Sequence, residues 1–369
     1  MKTGILTFHE TTNFGSLLQT YALYKILHDE GVDCDIIDYQ CEEIKKREFK
    51  YENINCWSVK NVLKYILFSK KSKKKHKDLL DFLRKNATIS CRYNKENILD
   101  SNDAYDCFIV GSDIVWGLDV TGNDLTYFLD FVKDDKLRIS YASSANQIVG
   151  NEYTDVIIQQ LEKFSLIGVR EEKTKLELAH YFPDKKVHLV CDPTMLVSPK
   201  DWINIALSSQ YNDKLKNEQY ILMYFPDGEG KMLDDAKYLK KELKLNVYCI
   251  NDNIPLSGVK NIHISKLEDF LCYILHARII LSGSYHGSLF SMYFEKDFYY
   301  YIRAHGERMR TLSKILGVEN RQAEYMDINC PVDYSVVSNR LNLYRKQSYE
   351  YINEMLIKIK GNESHGNDM

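Results

Sequence analysis

The sequence predicts an α/β protein of two Rossmann-like, doubly wound domains that face a cleft. Its 369 residues fit two domains of roughly 100–200 residues each. Short apolar runs alternate with amphipathic helical segments in both halves of the chain, which is the pattern of parallel sheets covered by helices. A polar stretch, Ser198–Glu218, separates the two series. Polar residues stand directly after several predicted strands, where ligands of such sheets bind.

The first domain is expected over residues 1–197 and opens with a βαβ unit. Lys2–Phe8 and Val32–Tyr39 have the composition of strands, and apolar residues recur between them at helical spacing as far as about Glu30. Further strands are predicted at 107–110, 138–142, 166–169 and 187–190, with helices at 154–164 and 173–181. Residues of about 41–100 are charged and weakly periodic, so a helical insertion is predicted there.

The second domain is expected over residues 198–335, where the alternation restarts. Its strands are predicted at 220–225, 246–250, 279–281 and 298–302, and its helices at 231–243, 267–277 and 287–294. A long helix is predicted over 336–360. The last residues, 361–369, are polar and are predicted to form a disordered tail.

Composition and charge narrow the class of protein. The formal charge is −3, so no overall positive field would recruit nucleic acid. The nine cysteines are scattered without a C-x-x-C pair, which is typical of a reducing cytosol and argues against a metal site. The N-terminal apolar run is too short for a signal peptide, and no segment is apolar enough to span a bilayer. The sequence therefore predicts a cytoplasmic protein.

A run of lysines departs from this average charge. It comprises Lys70, Lys71, Lys73, Lys74, Lys75 and Lys77 and directly follows an apolar stretch. One interpretation is an ordinary solvated helix face. The other is a patch that contacts the inner face of the cell membrane or a lipid diphosphate, because such clusters gain roughly 1 kcal/mol per cation at an anionic surface.

The densest group of candidate site residues follows a strand of the second domain and opens a helix. Its members are Ser284, Tyr285, His286, Gly287 and Ser288. Free backbone N–H groups at such a junction favour an anion, and a histidine there could transfer a proton near neutral pH. The alternative is a capping loop with a buried histidine. A second cationic group, Arg303 and Arg308, follows the next strand and is either a ligand for an anion or a solvated loop.

The first domain has its own polar strand ends. Arg170 follows the strand at 166–169 and could grip a carboxylate or phosphate, or simply pair with a neighbouring glutamate. Ser112 and Asp113 follow the strand at 107–110, where Asp113 could act as a base or bind sugar hydroxyls, or merely form a turn. The group Asn13, Gly15 and Ser16 could bind a ligand or cap the first helix.

Five of these segments, in order, resemble the polysaccharide pyruvyl transferase family from about Gly4 to Arg321. They are Asn13–Gln19 with the strand before it, Phe108–Asp113, Gly168–Glu171, Asp192–Thr194 and Ser284–Gly287. The resemblance implies a GT-B-like fold and transfer of the enolpyruvyl group of phosphoenolpyruvate to a sugar of a lipid-linked glycan or surface polysaccharide as a ketal, with release of phosphate. It implies no cofactor besides this donor.

The resemblance also assigns roles to residues. Arg170 and His286 match positions that hold phosphoenolpyruvate, but the family pattern has arginine where this chain has Ser284. We expect Arg303 or Arg308 to supply the missing cation, His286 to donate a proton or bind phosphate, and Asp113 to act as a base on the acceptor side. Two alternatives stay open, namely a GT-B glycosyltransferase that uses a nucleotide sugar and a non-catalytic glycan-binding module.

Overall fold

The computed structural model describes residues 1–49, 59–145, 147–225, 230–251, 255–302 and 306–361. The chain divides into two compact units. Unit 1 contains residues 1–50, 80–197 and 343–369, and unit 2 contains residues 51–79 and 198–342. Each unit has its own parallel sheet, as the alternation of strands and helices predicts.

The sheet of unit 1 has seven strands in the order β3-β2-β1-β4-β5-β6-β7. They are β1 (Thr3–Leu6), β2 (Cys34–Tyr39), β3 (Ile89–Tyr93), β4 (Cys107–Val110), β5 (Leu137–Ser143), β6 (Leu166–Val169) and β7 (Val187–Leu189). All neighbours pair in parallel. The inner strands are buried residue by residue because helices cover both faces of the sheet.

In the described residues, six α-helices lie between these strands in sequence. They are α1 (Phe14–Asp29), α2 (Glu42–Glu48), α3 (Val59–Asn86), α4 (Leu118–Thr121), α5 (Thr154–Glu162) and α6 (Glu172–Tyr181). The side chain of Asn13 caps α1 by accepting a hydrogen bond from the Gly15 N–H at 2.8 Å. This cap fixes the start of α1 beside the carboxyl end of β1.

The sheet of unit 2 has five parallel strands in the order β10-β9-β8-β11-β12. They are β8 (Tyr220–Tyr224), β9 (Asn246–Ile250), β10 (Lys260–Ile262), β11 (Ile279–Ser282) and β12 (Asp297–Tyr300). The remaining helices are α7 (Pro199–Leu207), α8 (Asn212–Leu215), α9 (Lys231–Leu243), α10 (Leu267–His276), α11 (Tyr285–Tyr293), α12 (Glu307–Leu316) and α13 (Tyr334–Gly361). The sheet order reverses beside β8, so the carboxyl ends of β8 and β11 are the expected place for a ligand.

The predicted helical insertion over 41–100 contains the helices α2 and α3, but it is not helical throughout. Ile89–Tyr93 is the edge strand β3, and residues 51–79 group with unit 2 rather than with unit 1. β3 is half-exposed and mixes polar with apolar residues, so a search for apolar runs does not find it. An edge strand can have this composition because it is covered on fewer sides than an inner strand is.

The end of the chain also differs from the predicted division. The terminal helix α13 spans Tyr334–Gly361, close to the predicted 336–360, but its part from Leu343 onward belongs to unit 1. Buried hydroxyl groups bind it there: Tyr351 donates to the Ser140 carbonyl at 2.7 Å, and Tyr344 donates to the Val190 carbonyl at 2.9 Å. The predicted tail lies outside the described residues except for Gly361, which ends α13.

Candidate functional site

The junction between β11 and α11 in unit 2 is shaped by small residues. Ser282 ends β11, and its hydroxyl accepts from the Ser284 N–H at 3.1 Å and donates to the Ser284 carbonyl at 2.9 Å. Ser284 caps α11, and its hydroxyl accepts from the Gly287 N–H at 3.3 Å. The serine that stands in the place of the family arginine therefore stabilises the start of the helix.

Gly287 permits the close packing of this junction. A Cβ added there would lie 2.5 Å from the Ser282 hydroxyl oxygen and 2.7 Å from a ring carbon of Tyr224 at the end of β8. Both distances are shorter than a normal contact, so only glycine lets α11 start directly above the sheet. Ser288 is buried and donates to the Ser284 carbonyl at 3.0 Å, so its hydroxyl proton is used within the helix.

His286 and Arg308 both lie near the ring of Tyr285. His286 is 5% exposed, and its ring lies edge-on to the Tyr285 ring at a centroid distance of 5.2 Å. The Arg308 guanidinium carbon lies 5.7 Å from the centroid of the Tyr285 ring, within the range of a cation–π contact. Unit 2 therefore brings a guanidinium, an imidazole and a helix N-terminus together.

The position of Arg308 argues against one of the two interpretations of this segment, a solvated loop after β12. Arg308 lies in the first turn of α12, a helix that the sequence analysis missed, and it is half-buried. Arg310 on the same helix is exposed and pairs with Glu307 at 2.6 Å. Arg303 lies outside the described residues.

In unit 1, Asp113 lies beyond the end of β4 in a tightly held turn. Its φ is 73°, in the left-handed region, and its carboxylate accepts from the Ser16 hydroxyl at 2.6 Å. Gly111 has a φ of 122°, and a Cβ there would lie 2.1 Å from the Tyr141 carbonyl oxygen. Aspartate adopts a positive φ more readily than most other non-glycine residues do. Residues held in such sparsely populated backbone conformations cluster at functional sites.

Ser112 and the start of α1 are joined by a residue that the sequence analysis did not single out. The Gln19 amide oxygen accepts from the Ser112 N–H at 3.0 Å, and its amide nitrogen donates to the Thr7 hydroxyl at 2.9 Å. Gln19 is fully buried and connects β1, α1 and the turn after β4. The neighbouring Asn13 is exposed and serves as the helix cap described above.

Arg170 is surrounded by carboxylates. It is 2% exposed, and its guanidinium lies 2.5 Å from Asp192, 3.7 Å from Asp113 and 3.8 Å from Glu171. The Glu171 carboxylate also accepts from the Ser144 hydroxyl. This geometry gives no support to direct binding of a substrate anion by Arg170, because an added anion would meet three carboxylates. The same geometry does hold Asp113 in place.

A second buried pair in unit 1 was also missed. His9 Nε2 lies 3.2 Å from Asp38 Oδ1, and Arg92 Nε lies 3.2 Å from Asp38 Oδ2. Burial by itself would raise the pKa of Asp38, but the hydrogen bond and charge of His9 and the charge of Arg92 outweigh it and lower the pKa to about 2. His9 follows β1 closely and Asp38 is the last residue but one of β2, and these positions at the carboxyl ends of two neighbouring strands could have identified them.

The predicted lysine patch is only partly on the surface. Lys70, Lys71, Lys73, Lys74 and Lys77 are exposed, whereas Lys75 is buried and cannot contribute to an external patch. Lys74 pairs with Asp78 and donates to the Ser265 hydroxyl at 2.9 Å. In the part of the chain that the structure describes, no helix is long and apolar enough to cross a membrane. The same residues contain no group of three metal-ligating side chains arranged to hold a metal ion.

Comparison with known families shows which family the chain belongs to. The sequence pattern of the family described as polysaccharide pyruvyl transferase matches residues 13–303, which is most of the chain. The chain belongs to this family. The protein is therefore a transferase, and the match includes the strand ends in both units that carry the site residues.

Similar solved structures show the fold. UDP-GlcNAc 2-epimerase from Methanocaldococcus jannaschii is 14% identical, with a TM-score of 0.51 over 97% of this chain and 100% of that one. The enzyme from Rickettsia bellii is 13% identical, with a TM-score of 0.52 over 98% and 97%. These proteins have the GT-B fold, as the sequence predicts for this chain. No curated protein matches the chain in sequence.

Proposed function

We propose that this transferase moves the enolpyruvyl group of phosphoenolpyruvate onto a sugar as a cyclic ketal and releases phosphate. The observation that carries the proposal is that Arg308 and His286 both lie near the ring of Tyr285, the first residue of α11. Phosphoenolpyruvate has a carboxylate and a phosphate, so its site needs a fixed cation and oriented donors. Arg308, in the first turn of α12, is our candidate for the cation that the family has at the position of Ser284.

The proposed reaction balances without a redox step. A proton adds to the methylene carbon of the donor, and the adjacent carbon becomes an oxocarbenium-like centre. One sugar hydroxyl forms a C–O bond to that centre and loses its proton to a base. The C–O bond to phosphate then breaks, phosphate leaves with the electron pair, and a second hydroxyl adds to the same carbon and gives its proton to the departing phosphate. We assign proton donation or phosphate binding to His286 and the acceptor-side base to Asp113.

In this proposal Arg170 is a positioning residue. Its contacts with Asp113 and Asp192 orient the carboxylate that accepts the sugar proton. The hydroxyl of Ser16, 2.6 Å from the other oxygen of Asp113, completes that orientation. Asn13 and Gly15 act by fixing the start of α1, which carries Ser16.

We further propose that the acceptor is carried on lipid and that the exposed lysines of α3 contact an anionic membrane surface. The separated positions Lys70, Lys73 and Lys77 share one helix face, since residues three and four apart are neighbours. Sedimentation with vesicles containing an anionic phospholipid tests this. Replacement of Lys73 and Lys77 by glutamine should weaken binding, and equal binding to neutral vesicles would contradict it.

The central test is incubation with phosphoenolpyruvate and a panel of lipid-linked sugars. We expect phosphate release that depends on the sugar, together with a product heavier by pyruvate less one water. Turnover of a nucleotide sugar with phosphoenolpyruvate inert would favour a glycosyltransferase. Binding of phosphoenolpyruvate without turnover on any sugar would favour a glycan-binding module.

The role of Tyr285 can be tested separately. Tyr285→Phe keeps the ring that faces Arg308, whereas Tyr285→Leu removes it. We expect the Leu variant to raise the KM for phosphoenolpyruvate by roughly twofold to fivefold and the Phe variant to retain the wild-type KM, because a cation–π contact contributes about 0.5–1 kcal/mol. Equal KM values in both variants would exclude a positioning role for the ring.

A further inference from the structure

A pocket in unit 2 is lined by residues that have no part in the proposed donor site. It has a volume of about 420 Å³, which lies within the range of small-molecule sites. Its lining includes two lysines, Lys240 and Lys260, together with Asn246, Tyr248 and Gly258. We propose that this pocket binds a phosphate group, either free or as a phosphate monoester. The inference is independent of the proposed function.

The position of the pocket in the sheet separates it from the donor site. Asn246 is the first residue of β9 and Lys260 is the first residue of β10, so both lie at the amino ends of their strands. The proposed donor residues follow β11 at the carboxyl edge of the same parallel sheet. Because substrates of doubly wound sheets bind at the carboxyl edge, a ligand in this pocket would not be the reacting donor.

Lys240 supplies the first cation from the last turn of α9. Its ammonium donates to the Gly258 carbonyl at 3.2 Å, a bond that ties the helix to the segment before β10. A lysine ammonium has three N–H donors, so others remain for a ligand. Among the residues that the structure describes, no carboxylate pairs with the ammonium of Lys240 or of Lys260. Both charges are therefore available to an anion.

Lys260 supplies the second cation, and an aromatic ring holds it. Its ammonium lies 4.8 Å from the centroid of the Tyr248 ring, within the range of a cation–π contact. Tyr248 is buried, and its hydroxyl donates to the Glu218 carboxylate. Burial, together with the hydrogen bond and charge of Glu218, raises the pKa of Tyr248 to about 12, so its ring is neutral near pH 7. The ring therefore positions Lys260 without neutralising its charge.

The segment that carries Gly258 and Lys260 is held by one amide side chain. Asn261 Nδ2 donates to the Leu256 carbonyl at 2.7 Å, and Asn261 Oδ1 accepts from the Leu256 N–H at 2.9 Å. Gly258 has a φ of 84°, which favours glycine at the turn between them. The two lysines thus stand on elements that are fixed before a ligand arrives, and this reduces the entropy lost on binding.

The charges of the pocket favour a compact anion that carries more than one charge. The lining residues that the structure describes include two lysines but no carboxylate and no arginine. Lysines bind phosphate as point charges, whereas a planar carboxylate is matched best by the fork of an arginine. The exposed amide of Asn246 adds a neutral donor. A phosphate group, with its charges on one tetrahedral centre, fits this set of donors.

Isothermal titration calorimetry with inorganic phosphate at constant ionic strength tests the pocket. We expect saturable binding to the full chain, weakened about tenfold in Lys240→Gln and in Lys260→Gln, because each removes a charged hydrogen-bond donor. Lys241→Gln is the matched control, since Lys241 is exposed in the same helical turn but does not line the pocket. The absence of saturable binding, or equal affinity in wild type and all three variants, would overturn the proposal.

A variant that gains affinity guards against a folding defect. Asn246 lines the pocket and is exposed, so Asn246→Lys would add a third cation to it. We expect phosphate to bind about threefold to fivefold more tightly, the effect of one more unit charge roughly 4 Å away in water. Unchanged or weaker binding by Asn246→Lys, in a variant that unfolds at the wild-type temperature, would contradict a phosphate in the pocket.

The same titration distinguishes this inference from the proposed function. Binding that persists in Arg308→Ala and weakens in Lys240→Gln would support the pocket, even if phosphoenolpyruvate is not turned over. Binding that is lost in Arg308→Ala and kept in Lys240→Gln would place the phosphate at the donor site and overturn the inference. Glucose 6-phosphate, as a second probe, separates the two sources: tighter binding than that of inorganic phosphate supports a monoester, and equal binding supports the free anion.

Discussion

Replacement of Asp38 by asparagine tests the electrostatics of unit 1. In the folded protein the pKa of Asp38 falls from 3.8 to about 2, which corresponds to about 2 kcal/mol of stability at 1.36 kcal/mol per pKa unit. Because the folded pKa is depressed, this stability is fully present above about pH 5 and is lost as the pH falls through 2. Asp38→Asn should therefore lower the free energy of unfolding by about 2 kcal/mol at pH 7.

Urea denaturation at several pH values measures this effect. The difference between wild type and Asp38→Asn should shrink steadily between pH 5 and pH 2, since the wild-type carboxylate becomes protonated there. Asp213→Asn is the control, because Asp213 is exposed and its pairing with Lys216 should leave the urea midpoint near that of wild type. A constant difference between Asp38→Asn and wild type from pH 7 to pH 2 would refute the role assigned to the His9 and Arg92 charges.

Three further predictions concern Gly287 and Arg308 in unit 2 and Arg170 in unit 1. Gly287→Ala should lower the stability by about 1–3 kcal/mol and kcat by up to about a hundredfold, because it shifts the start of α11. Gly361 has open space around it, so Gly361→Ala should change neither the stability nor kcat. Arg308→Ala should raise the KM for phosphoenolpyruvate, and adding Ser284→Arg should restore part of the affinity; failure of both would remove Arg308 from the donor site. Arg170→Met should lower the free energy of unfolding by about 3–5 kcal/mol, as calorimetry would show, because it leaves buried carboxylates unpaired; a loss below about 1 kcal/mol would contradict this.

The strands that the sequence predicts well are the buried ones. Cys107–Val110 and Leu166–Val169 are short apolar runs followed by polar residues, and both are inner strands of the sheet. The edge strands β3 and β10 escaped prediction because an edge strand needs no continuous apolar run. The helix α12 was missed since its arginines resemble a charged loop until its buried face is seen.

The positions of the site residues could be predicted from the sequence, but the residues that they contact could not. The rule that ligands bind beyond the carboxyl ends of parallel strands singles out Asp113, Arg170 and His286. The partners of Arg170 are 22 residues away at Asp192 and on a separate strand end at Asp113, and no local pattern reports such pairing. Long-range contacts of this kind decide whether a buried arginine binds substrate or holds a carboxylate.

The lysine run shows the same limit of local patterns. Spacing alone treats six neighbouring lysines as equivalent, yet Lys75 is 4% exposed and Lys74 is paired with Asp78. Helical periodicity rotates successive residues by about 100°, so a run longer than one turn cannot lie on one face. Only the tertiary packing of α3 determines which members face solvent.

Protonation of the donor methylene carbon is the central chemical claim, and transfer carried out in D₂O tests it most directly. Mass spectrometry or NMR of the purified ketal should show one deuterium in its methyl group, with one phosphate released for each sugar modified. A ketal methyl group without solvent deuterium, or a sugar product without any pyruvate, would contradict the account.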